Sequence, residues 1–369
     1  MDSHITIRPD AMRQFGGGPD DVFVLVTDLD LAAVTTVEPS GYGRTEVVAV
    51  EPGADLRELV RGLPAAANVL VASRNTFVRS ADLAELGARR MSVLPCGSTP
   101  VTTDQMRYFL GVLERADPHA QVAVADKFLD AVSEADVLRL VDRGQHTECS
   151  FDPGDADYVW NQQAGPLEPG EHQIAPAGEL SVLPMEITEF DSSRTLAMDG
   201  TLALRGEPIV HAGYDADPAL AREQARLYER LTALRRHPVV IEVAAGVITG
   251  CRAGNPTPEA ARVTRTLNEL FDEDTRYRTV WELGFGINTE MSVVAANCGM
   301  NEVFGGTNGV VHLGLGLTPF TRFALTFLCP DTAVLDGVGA TLLGSTSDQP
   351  ATGSRRRLRR TKDASCGCH

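Results

Sequence analysis

Over the first part of the chain, short apolar runs alternate with segments of helical period, and that alternation restricts the fold more than any other feature. Val22–Val26, Val47–Val50, Val69–Ala72 and Met91–Leu94 have the length and composition of buried strands. Between them, Ala54–Leu63 carries Leu56, Leu59, Val60 and Leu63 on one helical face, and Ser80 is placed to cap a helix bearing Leu83 and Leu86. After the turn at Cys96-Gly-Ser-Thr-Pro, Thr102 or Thr103 starts a helix with Met106, Phe109, Leu110 and Leu113 on its apolar side. Ser133–Val141 reads as one more helix. Strand–helix alternation of this kind predicts a parallel sheet with helices on both faces.

Near residue 144 the pattern changes. Glycine and proline become dense, and short apolar strands such as Leu180–Leu183 and Thr201–Leu204 lie between them. One helical stretch interrupts these strands, with Asp217 as cap, Pro218 in the first helical position, and Leu220, Leu227, Leu231 and Leu234 at helical spacing. Val239–Val243 and Val247–Thr249 read as a hairpin around Ala245-Gly246, and Thr257-Pro258 opens a further helix. The expected architecture is α/β: an α/β domain over 1–143, then a β-rich α+β domain over 144–343 with a helical insertion at about 213–237. A flexible basic tail is expected over 344–369. A length of 369 residues suits two domains at roughly 100–200 residues each.

Charge narrows the function classes. Lys+Arg number 33 and Asp+Glu 50, a formal net charge of -17. Residues 355–369 hold six cations and one anion, a balance of +5, which leaves -22 on residues 1–354. So acidic a body repels nucleic acid and anionic membrane, and neither is an expected partner. No run approaches the ~18 apolar residues of a membrane span, and residues 1–20 hold no apolar leader segment. Seven scattered cysteines do not make a disulfide framework and fit a reducing cytosol.

Three segments carry isolated polar groups inside apolar runs. In Pro176-Ala-Gly-Glu-Leu-Ser-Val-Leu-Pro184, Glu179 enters a strand after a glycine. In Trp281-Glu-Leu-Gly-Phe-Gly-Ile-Asn288, Glu282 precedes a glycine-bearing stretch. His312 lies within Gly305-Gly-Thr-Asn-Gly-Val-Val-His-Leu-Gly-Leu-Gly316. An acid or imidazole in such surroundings is costly unless paired, hydrogen-bonded or metal-bound. Taken singly, the glutamates read as strand-end carboxylates paired with arginine and the histidine as a satisfied core residue. Their order and context together shift that balance. Cys298 and Cys329 read as buried small hydrophobes, and His211 and His237 as surface residues beside the insertion.

The order and context of these three segments resemble the M29 family of metalloaminopeptidases, often called leucyl aminopeptidase T-like. The resemblance runs through most of the second domain, with Thr147–Pro153 similar to that family's entry strand and Val239–Arg252 to its late hairpin. It implies a cytoplasmic, homodimeric enzyme that uses two divalent metals, of the Zn, Co or Mn kind, to release N-terminal residues from peptides. It assigns Glu179, Glu282 and His312 as metal ligands, with the two glutamates as the catalytic carboxylates. The chain also departs from the family's pattern. No tyrosine stands near Thr318-Pro319-Phe320, and Phe323 and Leu325 occupy the positions of a late His-x-Asp pair. Three ligands suit one metal better than two. Asp331 and Asp336 are the nearby acids that could substitute, although their settings suggest turns. Three readings follow. One is an altered, mononuclear peptide hydrolase. Another is an inactive scaffold, without metal, that binds a peptide or protein partner. The third is a mononuclear iron oxygenase on the same scaffold. In the tail, Cys366, Cys368 and His369 form either a soft-metal chelate or simply a thiol-bearing end.

Overall fold

The structure, a computed structural model, describes residues 4–51, 54–74, 86–94, 99–186, 189–213, 217–344 and 360–361. The expected parallel sheet is present. Its five strands run in the order His172–Ile174, Arg90–Leu94, Asn68–Ala72, Val22–Asp28, Arg44–Val50, all parallel. The central Asn68–Ala72 strand is buried throughout, as a strand covered on both faces must be. Helix Leu56–Gly62, capped by Asp55, packs Val60 against Val24, Val26, Val69 and Val71 on one face. Helix Thr103–Arg115 packs Met106, Phe109, Leu110 and Leu113 against Phe23, Leu25 and Leu70 on the other. Its start is fixed by a reciprocal capping box between Thr102 and Gln105. The Ser80 cap and the Cys96 turn lie outside the described residues.

The Ser133–Val141 segment is not a helix. A helix runs over Pro118–Glu134, capped by Asp117, and a strand follows at Leu138–Asp142. The period settles it. Leu138 and Leu140 are buried, while Arg139 between them points outward and bonds Glu148 on the neighbouring strand.

Two antiparallel seven-stranded sheets follow. One runs Val247–Ala253, Val239–Ala244, Met198–Leu204, Thr147–Phe151, Leu138–Asp142, Ala333–Leu335, Thr341–Leu343. The other runs Pro208–His211, Ala324–Cys329, Val310–Leu315, Val280–Gly286, Glu179–Leu183, Val159–Gln163 and, pairing in parallel at its edge, Arg360–Thr361. Their facing sides share one core. Leu140, Phe151, Leu202 and Ile241 from the first meet Leu180, Leu283, Phe285, Leu313 and Phe327 from the second. The Val239–Ala244 and Val247–Ala253 strands form the expected hairpin. Ala245 and Gly246 have φ of 48° and 75°, the positive pair that a tight primed turn requires. Helices Pro218–Leu231 and Pro258–Glu273, capped by Asp217 and Thr257, bury Leu227, Leu231, Val263, Leu267 and Phe271 in the same core. Arg360–Thr361 belong to the segment expected as a flexible tail but form a short strand. Among the described residues no helix is long and apolar enough to cross a membrane.

Candidate metal centre

Glu179, Glu282 and His312 sit on three neighbouring strands, Glu179–Leu183, Val280–Gly286 and Val310–Leu315. Strand alternation explains why they share a face. Leu180, Val182, Leu283, Phe285, Val311 and Leu313 point into the core between the sheets, so the residues between them point away from it. The register brings them close: Glu179 lies opposite Gly286, His312 opposite Gly284, and Glu282 opposite Gly314. The glycines make the space. A methyl group at 284 would lie 1.9 Å from His312 Nε2, and one at 314 would lie 2.8 Å from Glu282 Cβ. The imidazole lies over one glycine and the Glu282 side chain over the other.

The three side chains each present a ligand atom, and these atoms all lie within 4.8 Å of one another. Glu179 is 2%, Glu282 6% and His312 0% exposed. His312 Nε2 stands 3.6 Å from Glu179 Oε1, an ion-pair distance too long for a hydrogen bond. Both ring nitrogens of His312 are buried without a hydrogen-bond partner among the described residues. That is an uncommon condition for a buried imidazole, and a metal ion would relieve it. Burial, and then the adjacent Glu179 charge, push the Glu282 carboxyl up to about 8. Burial lowers the His312 pKa, but Glu179 outweighs it and the group ends at about 9. Two carboxylates and one imidazole fit a divalent ion of the harder or borderline kind. This buried Glu–Glu–His group can bind a metal.

Phe323 and Leu325 do not face this group. Both join the core between the sheets, so they could not have supplied ligands. Asp336 accepts the backbone N–H groups of Val338 and Ala340, and Asp331 pairs with Arg205 at 3.0 Å. Neither replaces a ligand. Cys298 and Cys329 are buried, and burial pushes the Cys329 thiol up to about 12. Cys366, Cys368 and His369 lie outside the described residues.

The sequence reading missed a second polar cluster on this face. His211 is not a surface residue. It is 1% exposed at the end of the Pro208–His211 strand, with Nε2 3.2 Å from Glu302 Oε1. Thr326 Oγ1 donates to the same oxygen at 2.7 Å. Glu302 belongs to the 3-10 turn Gly299–Val303, which the chain lays against Gly286; a methyl there would come within 2.6 Å of the Glu302 carbonyl oxygen. Asn301 holds that turn through both polar atoms of its side chain, bonded to the backbone of Val294. The apolar Pro208–Val210 run was the available sign of a strand carrying His211 inward. Nothing local marked Glu302. His237 is half-buried, its Nδ1 3.0 Å from Thr257 Oγ1.

A family profile described as crocagin biosynthetic protein CgnE/B matches residues 54–333, well over half of the chain. The chain belongs to the CgnE/B family. Among solved structures it is similar to 2,5-dihydroxypyridine dioxygenase from Pseudomonas putida KT2440. The two are 15% identical with a TM-score of 0.53, over 91% of this chain and 93% of that one. At that identity the likeness shows a shared fold. No curated protein matches the sequence. These findings overturn the M29 resemblance and with it the aminopeptidase, metallopeptidase and hydrolase readings: the family is a biosynthetic one and the structural neighbour an oxygenase. The three motifs have a physical explanation that needs no peptidase ancestry. Large side chains on one face, each with a glycine opposite, are what adjacent antiparallel strands require to gather those side chains at one point.

Proposed function

We propose that this CgnE/B-family chain binds one divalent metal, iron(II), through Glu179, Glu282 and His312, and acts as a mononuclear oxygenase in a biosynthetic step. The reading is carried by one observation: three buried side chains converge within 4.8 Å, and one of them is an imidazole with neither ring nitrogen hydrogen-bonded. Bound iron would supply the activation of dioxygen. The chain's own contribution is separate. The carboxylates of Glu179 and Glu282 offset the charge of the ion, and three protein ligands leave positions for small molecules. The strands fix the ligands with their side chains packed, which keeps the geometry rigid. The fold shared with a dioxygenase and the biosynthetic family both support the oxygenase over the other readings. The free thiols Cys149, Cys251 and Cys329 suit the reducing cytosol in which such a centre keeps its iron reduced.

The test is anaerobic loading with iron(II), followed by elemental analysis of the desalted protein. One iron per chain is expected, falling below a tenth of that in Glu282→Ala and His312→Ala variants. The loaded protein is then expected to incorporate labelled oxygen from dioxygen into an intermediate of the crocagin type. Absence of bound iron in the native chain would overturn the proposal and leave a non-catalytic binding role. Iron bound equally by the variants would place the metal elsewhere.

A further inference from the structure

At the edge of the sheet that carries the metal centre, Val159–Gln163 pairs on its inner side with Glu179–Leu183 and on its outer side, among the described residues, with Arg360 and Thr361. The pairing is parallel, with Arg360 opposite Trp160 and Thr361 opposite Asn161. In a parallel pair, a segment leading into Arg360 would come from the end at which Tyr158 enters the strand. At that end opens a cleft of about 470 Å³ whose lining includes Asp136, Asp152, Asp155 and Tyr158. The three aspartates are exposed, and none has a cationic partner among the described residues. Asp152 and Asp155 each use one oxygen to accept a nearby backbone N–H, from Gly154 and Asp157. Arg194, the cation near Tyr158, is paired with Asp157.

The sequence before Arg360 is Arg355-Arg-Arg-Leu-Arg359. We propose that the Val159–Gln163 edge and the aspartate cleft together form the docking surface for the chain's own basic segment, residues 355–361. Two paired residues make a short strand, and opposite charge beside it supplies the rest of the attraction. The balance of +5 on residues 355–369 faces a body of -22, so the segment is drawn to this surface before it pairs. Reach is sufficient for docking within one molecule. The 15 residues between Gly344 and Arg360 span about 50 Å when extended. Docking also covers an edge strand that would otherwise offer its backbone to other chains. That edge lies one strand from Glu179, which sits opposite Gln163.

Hydrogen exchange on the full-length chain tests this without removing any part. In the native protein the edge amides of Val159–Gln163 are expected to exchange about tenfold more slowly than in a variant with Arg355, Arg356, Arg357 and Arg359 all changed to Glu. A second variant, Asp152→Asn with Asp155→Asn, keeps the oxygens that accept from Gly154 and Asp157 and removes only charge. It is expected to lose protection similarly, and the native protein is expected to lose it at about 0.5 M salt, where surface charges are screened. Both variants alter exposed side chains, and unchanged thermal melts would confirm that the fold is kept. Equal protection in native and variant chains would overturn the proposal. Protection that grows with protein concentration would overturn it too, because the occupant would then be the tail of a second copy.

Discussion

His312 and Glu282 hold protons that a metal must displace. In the metal-free chain Glu282 is protonated below about 8 and His312 below about 9, so loading either as a ligand releases a proton. Metal affinity is therefore expected to rise with pH from 6 to 9, and calorimetry in buffers of different ionisation enthalpy would read the released protons. An affinity that does not vary with pH would rule out these ligands. The same groups act oppositely on the stability of the metal-free fold. Both pKa values are raised above the ordinary 4.5 and 6.5, so their stabilising contribution is complete below about 4.5 and is lost as pH rises through about 8 and 9. Thermal melts of the metal-free protein should decline from pH 6 to 9, and Glu282→Gln should flatten that decline. The His211–Glu302 pair makes a separate prediction. His211→Ala leaves a buried carboxylate with Thr326 as its remaining side-chain partner in that contact, at a cost of about 2–3 kcal/mol by denaturant titration. A loss under about 0.5 kcal/mol would show that the pair contributes little.

At the scale of elements, the glycines are as necessary as the ligands. Gly284→Ala places a methyl where the His312 ring lies, and the ring or the strand must shift. Overpacking of this kind costs about 1–3 kcal/mol. Displacing a ligand in this way is expected to weaken metal binding about 10–100-fold, measurable by competition with a chelator. Unchanged binding would mean that His312 is not a ligand. Much at this scale was legible in the sequence. The parallel strands, the capped helices at Thr102, Asp217 and Thr257, and the Ala245-Gly246 hairpin follow from local pattern and turn chemistry. The shared placement of Glu179, Glu282 and His312 was legible because glycines and apolar residues alternate around them. The His211–Glu302 contact was not, because it joins residues 91 apart and depends on how a 3-10 turn settles over Gly286. The Ser133–Val141 segment misled because a helix end and a strand start abut there, and the two periods overlap over so few residues. The family was misread for a different reason. The motif reports a chemical arrangement on a sheet, and an arrangement can be shared without a shared reaction.

The whole molecule joins an α/β layer to a two-sheet sandwich, with chain segments crossing between them. His172–Ile174 leaves the later part of the chain to extend the parallel sheet, and Met291, Cys298, Met300 and Val303 pack into the core beneath it. Helix Pro118–Glu134 closes the sandwich core, packing Phe128 against Phe285 with ring centroids 4.7 Å apart. The face that carries Glu179, Glu282 and His312 is backed by this core and crossed by the 291–303 segment packed beneath the parallel sheet. A core truncation such as Phe285→Ala is expected to cost about 3–5 kcal/mol and to lower metal binding with it, although it touches no ligand. Stability loss with full metal binding would show that the site does not depend on the core behind it.

The positions of Glu179, Glu282 and His312 along the chain also set when such a centre could exist. Glu179 and Glu282 are 103 residues apart, and His312 follows 30 later. No early, local piece of the folding chain contains a site, because the ligands meet only after strands distant in sequence have paired. An ion held by them would therefore arrive after the sheet has assembled, and it would stabilise the finished protein without hastening its formation. Metal should slow unfolding while leaving the refolding rate nearly unchanged. A nascent chain released before residue 312 would carry both glutamates and still have nowhere to hold the ion.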